Sequence, residues 1–260
     1  MKVYLGFDDT DALNSLYGTG KLVRWFRQQL PQECECLGVV RQPLLVCDDI
    51  PYTSHNSAAC MIVEVPDPSM LDPMIADAVS HIERHAASGS DPGLCVAAEQ
   101  GAALEGIIAY GRFCTHGVST QKEALEAARH VHLSGHGGTH DGIIGAAAAV
   151  GLTLFGWAGR FIELGNLRGW PERTTVSELK NHGIETMSVD RDATVPAPTD
   201  IVITNGWLRP RLVGHRPVLF VRPQGPAIWE NIDRKRVKMD AFARENAPLA
   251  PATQIIPAGG

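Results

Sequence analysis

The sequence predicts an α+β protein, and three observations carry that prediction. Short runs of β-forming residues alternate with amphipathic helices through the first hundred residues. A more helical stretch follows, dense in alanine and glycine. A smaller part of mixed strand and helix character closes the chain. The order in the first hundred residues is β-α-β-β-α-β, the ferredoxin-like split unit. The expected organisation is therefore a ferredoxin-like unit over 1–100, a helical segment over 101–165 and a mixed α/β part over 166–260.

Each element has a local reason. Lys2 to Phe7 is a short apolar run rich in β-formers, which reads as a strand. Leu22, Val23, Phe26 and Leu30 recur at helical spacing, with Arg24, Arg27 and Gln28 on the opposite side. Pro31 stops that helix. Leu37 to Cys47 reads as a strand interrupted at Pro43, and Ala58 to Val65 as another. Met70, Leu71, Met74, Ile75, Ala78, Val79 and Ile82 give a second amphipathic helix. Leu94 to Ala98 closes the unit as a short strand.

Ala103 to Phe113 reads as a helix. Thr120 and Glu123 form a capping box ahead of Ala124, Leu125, Ala128 and Val131. Asp141 is placed to cap a buried helix from Ile143 to Leu152. Thr175 and Glu178 suggest a second capping box, for a short helix ending at Gly183. Ile201 to Thr204 and Val218 to Arg222 read as strands, separated by the turn residues Asn205 and Gly206. The tail from Ala247, rich in Pro, Ala and Gly, is expected to fray. No internal repeat is visible.

Composition bounds the function. The chain has 260 residues, 44% hydrophobic and 20% charged, enough to bury a substantial core and unlike a disordered or fibrous chain. Its formal net charge of -6 argues against broad nucleic-acid binding, which needs a basic face, although a local basic patch escapes an average. Cys34, Cys36, Cys47, Cys60, Cys95 and Cys114 form no CxxC pair, so no zinc ribbon is readable. Carboxylates follow the start too soon for a signal peptide. The longest apolar stretch, Ile143 to Trp157, is shorter than a bilayer span. A soluble, cytoplasmic, reduced protein without a membrane contact is expected.

The sharpest motif is Asp8-Asp9-Thr10-Asp11, directly after the first strand. Strand ends commonly present ligands. Three clustered carboxylates repel one another, so burying them together calls for a cation. Magnesium takes oxygen ligands and bridges carboxylates to phosphates, with Thr10 as a further oxygen. A solvated Asx turn capping the next helix is the competing reading. Gly18-Thr19-Gly20-Lys21 opens the first helix and resembles an anion seat, with Lys21 adding charge. It departs from a Walker A loop at Ser15 and Leu22, and a flexible turn explains it as well. The polar run from Pro51 to Ala58, including Asn56, suits either a nucleotide contact or a surface loop. His130 and His132 would diverge on a helix but align on a strand, and convergence of His136, His140 and Asp141 on zinc or iron leaves open a transition-metal hydrolase, against histidines that are merely exposed or touch substrate.

Together these segments resemble the archaeal tRNA-isoleucine agmatinylcytidine (agmatidine) synthetase family. The resemblance rests on Gly6-Phe7-Asp8-Asp9-Thr10-Asp11, Gly18-Thr19-Gly20-Lys21, Pro51 through Asn56-Ser57-Ala58, the run Gly142 to Gly151, and Arg222-Pro223-Gln224-Gly225-Pro226. It implies a kinase-like ATP site joined to a ferredoxin-like domain. In the family, ATP activates a cytidine carbonyl by phosphorylation and agmatine displaces the phosphate. By analogy Asp8, Asp9 and Asp11 are catalytic and hold Mg2+. Thr10, Gly18, Thr19, Gly20 and Lys21 contact phosphates or acceptor, and Asn56, Gly137, Gly138 and His140 complete the nucleotide pocket. The family continues into an OB-fold and a zinc ribbon that grip tRNA, and neither is readable here. The residue expected as Arg in the polar loop is Ser54 or His55, and Gly20-Lys21 replaces a threonine pair. The expected activity is ATP- and Mg2+-dependent phosphoryl transfer or ligation. Its expected partners are a nucleotide and a small-molecule or nucleoside-like acceptor, with tRNA disfavoured and a homodimer compatible. A nucleotide-binding regulatory protein is the alternative of another class.

Overall fold

The computed structural model describes residues 1–13, 15–50, 55–100 and 103–233. The expected frayed tail and Pro51 to Ser54 lie outside these. The element order over the first hundred residues is the one the sequence suggests: β1 (Lys2–Asp8), α1 (Thr19–Phe26), β2 (Glu35–Pro43), β3 (Ser57–Glu64), α2 (Leu71–His85) and β4 (Gly93–Ala98). These strands lie side by side as β4-β1-β3-β2, all antiparallel.

The sheet does not end there. β5 (His132–Gly135) joins the β4 edge, and β6 (Arg160–Glu163) joins the β2 edge. β10 (Arg211–Val213), β11 (Arg216–Gly225), β12 (Ile228–Asn231), β9 (Ile201–Ile203) and β7 (Arg173–Thr175) continue the path, with β8 (Glu185–Ser188) beside β11. The result is one mixed twelve-stranded sheet. The helices α3 (Glu105–Phe113), α4 (Gln121–Ala127), α5 (Gly142–Phe155) and α6 (Val176–Asn181) complete the fold.

Strand alternation sorts β1 between two cores. Val3, Leu5 and Phe7 face Leu22, Val23 and Phe26 of α1 and Met74, Ala78 and Ile82 of α2. Tyr4 faces the opposite way, toward α3 and the alanines of α5. Period two therefore puts Gly6 and Asp8 on the α5 face as well. A third core, with Leu179, Val202, Leu208, Leu219 and Trp229, holds the C-terminal half.

The α5 face is closed by missing side chains. A Cβ on Gly6 would overlap the Ala146 carbonyl, one on Gly93 the backbone of Gly142, and one on Gly145 the Asp8 carboxylate. The helix thus lies backbone to backbone on β1 and β4. Gly111 of α3 and Gly151 of α5 make the same close approach between helices.

Some boundaries and caps differ from expectation. β2 stops at Pro43, which offers no ladder donor, rather than resuming to Cys47. The first helix ends at Phe26 and tightens into a 3-10 turn over Arg27–Gln29. The Thr120–Glu123 capping box is complete. Thr175 accepts from the Glu178 N–H, without a reciprocal bond among those formed at this cap. Asp141 makes no side-chain cap: its backbone is already helical, and its carboxylate instead takes the Gln121 amide at 2.6 Å. The sequence does not announce β5, β6, β7, β8, β10 and β12; all are three- or four-residue strands, too short for alternation to register.

Two glycine substitutions test the backbone contact. Gly6→Ala should cost roughly 1–3 kcal/mol or more through overpacking. Gly106→Ala in α3, where the nearest atom is 3.6 Å away, should be neutral or stabilise by up to about 1 kcal/mol. Urea unfolding of both variants measures this; equal effects would show that α5 does not depend on the close approach.

Candidate functional site

β1 ends beside a cavity of about 640 Å³, within the usual size range for a small-molecule site. Asp8, Asp9, Asp11 and Asp141 form its acidic end. Leu44, Ile50, Val118 and Ile144 supply apolar wall, and Asn56, Ser119, Thr120 and Gln121 supply neutral polar groups.

The turn after β1 aims its carboxylates differently. Asp8 lies in the gap that Gly145 leaves in the first turn of α5. Burial, then the charge of Asp9, lifts Asp8 from the ordinary 3.8 to about 7. The Asp9 backbone bond pulls the other way, and Asp11 adds a smaller upward push. Asp9 adopts a left-handed backbone, φ 50°, which an aspartate tolerates better than most residues. Burial and then the charges of Asp91, Asp11 and Asp141 lift it to about 6. Asp11 turns back to the start of α1, where its Oδ1 accepts from the Thr19 N–H at 3.3 Å and the Thr19 hydroxyl at 3.2 Å.

That geometry separates the expected site residues. Asp8, Asp9, Asp11, Thr19 and Asn56 reach the cavity. Thr10 is buried, 1% exposed, and bonds Thr19 Oγ1 through both its N–H and its hydroxyl. It builds the turn rather than facing the cavity. The helix start at Gly18, expected to seat a phosphate, is met by the protein's own Asp11. Gly20 packs against Ile162, where a Cβ would come within 2.8 Å. Lys21 lies over the rings of Trp25, at 5.0 Å, and Tyr17, at 5.7 Å. Asn56 donates from Nδ2 to the Leu45 carbonyl at 2.6 Å.

Gly137, Gly138 and His140 are not among the cavity's lining. Their loop folds onto Asp91 instead. Asp91 accepts from the Thr139 N–H and hydroxyl, each at 2.7 Å. Gly138, φ 43°, leaves room for that carboxylate, and His140 packs over Gly135. Gln121 ties the loop to the cavity by donating to the Thr139 carbonyl at 2.7 Å and to Asp141.

The histidines align along the β5 edge. His132 Nε2 and His136 Nε2 each lie 2.8 Å from Ser134 Oγ. Burial lowers the pKa of both rings. Among the described residues, no group of three or more His, Cys, Asp or Glu is assembled to hold a metal ion. The aspartates after β1 therefore do not form a closed three-carboxylate cage. Asp8 and Asp9 are nonetheless hard oxygen donors whose mutual repulsion a divalent cation would relieve, so their chemistry fits magnesium. Cys114 also lines the cavity, with its thiol pushed up by burial, which is the opposite of activation.

Two features escape a reading of the sequence. Asp91 sits in the turn before β4, and its role emerges only when the 136–140 loop closes on it. The second is a cluster of arginines beside the cavity. Arg24, Arg27 and Arg168 share Glu163, at 3.9, 3.3 and 3.4 Å. Arg160 and Arg211 share the buried Asp233, at 2.9 and 2.8 Å respectively. Arg209 feels Arg160 and Arg168. Arg41 feels Arg209 and bonds Ser57 Oγ, a cavity residue, at 2.7 Å. The negative total hides this local excess of positive charge.

No family model matches the chain, and no curated protein matches it significantly. Solved structures do. The complex of TiaS with its isoleucine tRNA and ATP is 26% identical over 58% of this chain and 36% of that one, with a TM-score of 0.50. The chain is similar in structure to TiaS, an agmatidine synthetase of isoleucine tRNA. It spans about 36% of the length of that protein. A tRNA fluorescent labeling enzyme is 26% identical over 58% of this chain and 36% of its own, with a TM-score of 0.47. The complex of TiaS with the same tRNA, AMPCPP and agmatine gives 23% identity, coverage of 70% and 44%, and a TM-score of 0.46. The relation read from the motifs is thus supported, and it is to an ATP-using, tRNA-modifying enzyme. TiaS itself was captured with tRNA, so this likeness gives no support to disfavouring tRNA. No helix among the described residues is long and apolar enough to cross a membrane.

The raised carboxylates carry a stability signature. A carboxyl with a higher pKa in the folded chain holds its proton after the unfolded chain has lost it. Stability therefore falls as pH rises from about 4 toward 7. In metal-free buffer Asp8→Asn should raise the melting temperature at pH 8, by roughly 2–4 °C per kcal/mol relieved. The gain should vanish near pH 4. A variant less stable than the parent across that range would make Asp8 a structural group.

Proposed function

We propose that the chain is an ATP-dependent, ligase-type enzyme whose chemistry takes place at the end of β1, in the cavity bounded by Asp8, Asp9 and α5. One observation carries the reading: two aspartates raised by burial share the acidic end of a nucleotide-sized cavity, in a chain similar in structure to TiaS. We read residues 2–98 as a ferredoxin-like unit and keep 1–100, 101–165 and 166–260 as the working division.

Asp8 and Asp9 would hold magnesium. When bound, the metal neutralises charge on phosphate oxygens and orients them. The chain's own residues do the positioning. Gly145 lets Asp8 reach the cavity from beneath α5. Asp11, anchored on Thr19, fixes the turn that carries Asp9. Gln121 fixes Asp141 at the same acidic end. Leu44, Ile50 and Ile144 keep part of the cavity apolar, which strengthens the electrostatics inside it. The reaction we assign is kinase-like: an acceptor oxygen takes a phosphoryl group, and a nucleophile then displaces it.

For the acceptor we favour a nucleoside-like group entering beside Asn56 and Ser119. A second reading, an acceptor carried on RNA, is supported by the arginines that run from Glu163 to Arg41 at the cavity edge. A regulatory protein without turnover is less economical, because binding alone does not require two carboxylates held at raised pKa.

Asp9→Asn should lower ATP consumption in the presence of a cytidine-bearing acceptor and an amine by at least about a hundredfold. Removing a positioned charge at a phosphoryl-transfer centre has effects of this order. The far-UV spectrum should be unchanged. Full activity in Asp9→Asn would place the chemistry elsewhere.

A further inference from the structure

The C-terminal half has its own concave site, which the reaction at β1 does not use. A pocket of about 250 Å³ lies between the 164–171 segment and α6. Trp170 and His182 form an aromatic wall, with ring centroids 5.0 Å apart and edge to face. Leu164, Pro171 and Ile184 make the rest of the wall apolar. Two polar groups enter it, the Asn166 amide and the Glu178 carboxylate. Glu178 is tied to the aromatic wall, because its Oε1 lies 3.5 Å from His182 Nδ1.

The rim is kept open by backbone. Gly165 has φ 53° with no atom within 4 Å of a Cβ position. Gly169 lies against the Asn166 amide, where any Cβ would collide.

The chain steps from this pocket straight into the arginine cluster. Leu164 follows Glu163, and Gly169 follows Arg168. Arg24, Arg27 and Arg168 all meet Glu163, and the bonds formed there set three cations against one carboxylate. Arg27 and Arg168 remain 48% and 38% exposed. Arg168 also donates to the Ile162 carbonyl at 2.8 Å, so this positive charge is held beside Glu163, the residue next to Leu164 of the pocket.

We propose that this pocket binds a nucleotide unit, with its base against Trp170 and its phosphate on Arg27 and Arg168. The charges fix the orientation. Glu178 repels a phosphate, so the phosphate stays at the arginine end. A carboxylate accepts from the exocyclic amino group of cytosine or adenine and has nothing to accept from at O4 of uracil. Aromatic side chains take bases by stacking, a contact every base can make. The ligand is either a free mononucleotide or one unit of a single strand. The proposal does not rest on the ATP reading of the other cavity.

The test uses the full chain labelled with 5-fluorotryptophan and followed by 19F NMR. The chain has five tryptophans, and Trp170→Phe identifies the resonance of Trp170. CMP, UMP and short C-rich and U-rich single-stranded RNAs are the probes. The Trp170 resonance should move with the cytosine ligands, which should bind roughly tenfold more tightly than the uracil ones. Glu178→Gln, at an exposed position, should remove most of that preference, and Arg168→Ala should weaken both series. A response to CMP as well as to strands marks a mononucleotide site, and a response to strands alone, weakening with salt, marks a single-strand site. A Trp170 resonance unmoved by millimolar CMP and by the strands overturns the proposal. Shifts confined to other tryptophans would overturn it too, while leaving the ATP reading standing.

Discussion

The structure depends on a contact made without side chains. α5 lies directly on β1 and β4 because Gly6, Gly93, Gly142 and Gly145 carry no Cβ to hold it away. Ordinary helix-on-sheet packing would leave a layer of side chains between them. Here the first turn of the helix reaches the end of the strand, and Asp8 fills the space above Gly145. The same approach brings Asp141, just ahead of α5, to the wall facing Asp9. The cavity is therefore a product of glycine placement as much as of its own polar residues.

The acidic end of that cavity is costly. Asp8 and Asp9 are both raised by burial and then by neighbouring carboxylates, Asp8 by Asp9 and Asp9 by Asp91, Asp11 and Asp141. Nothing in ordinary folding favours such an arrangement, since the unfolded chain would ionise these groups freely. Strain of this kind is expected where function demands it. Arginine density lies just outside, from Glu163 to Arg41, so the field changes sign over a short distance. On the proposed function, a phosphate-bearing ligand would be drawn to the arginines and would meet repulsion among the carboxylates unless a cation accompanied it.

Much of the fold was legible, for physical reasons. The β-α-β-β-α-β order follows from patterns long enough to show a period, such as Met74, Ala78 and Ile82 on α2. The capping box at Thr120 is a local hydrogen-bond exchange and reads directly. β5, β6, β7, β8, β10 and β12 do not show in the sequence, because three or four residues carry no period. At the site, the Asp8–Asp11 turn was legible as chemistry, but not the division of labour within it. Spacing makes all three aspartates equivalent, whereas tertiary contact sends Asp11 to Thr19 and Asp8 to Gly145. Gly137 and Gly138 suggest a phosphate loop, yet they serve Asp91, which belongs to no motif in the sequence. The arginine cluster draws on β2, β6, β10, α1 and the loops between, so it is invisible to any window and masked by a total charge of -6.

If the proposed function holds, the carboxylates at the end of β1 make a nucleotide site that requires a divalent cation. Isothermal titration of the full chain with ATP, with and without magnesium, tests it most directly. One saturable site should form in magnesium and disappear in excess chelator. Absence of binding in magnesium, or equal binding in chelator, would contradict it.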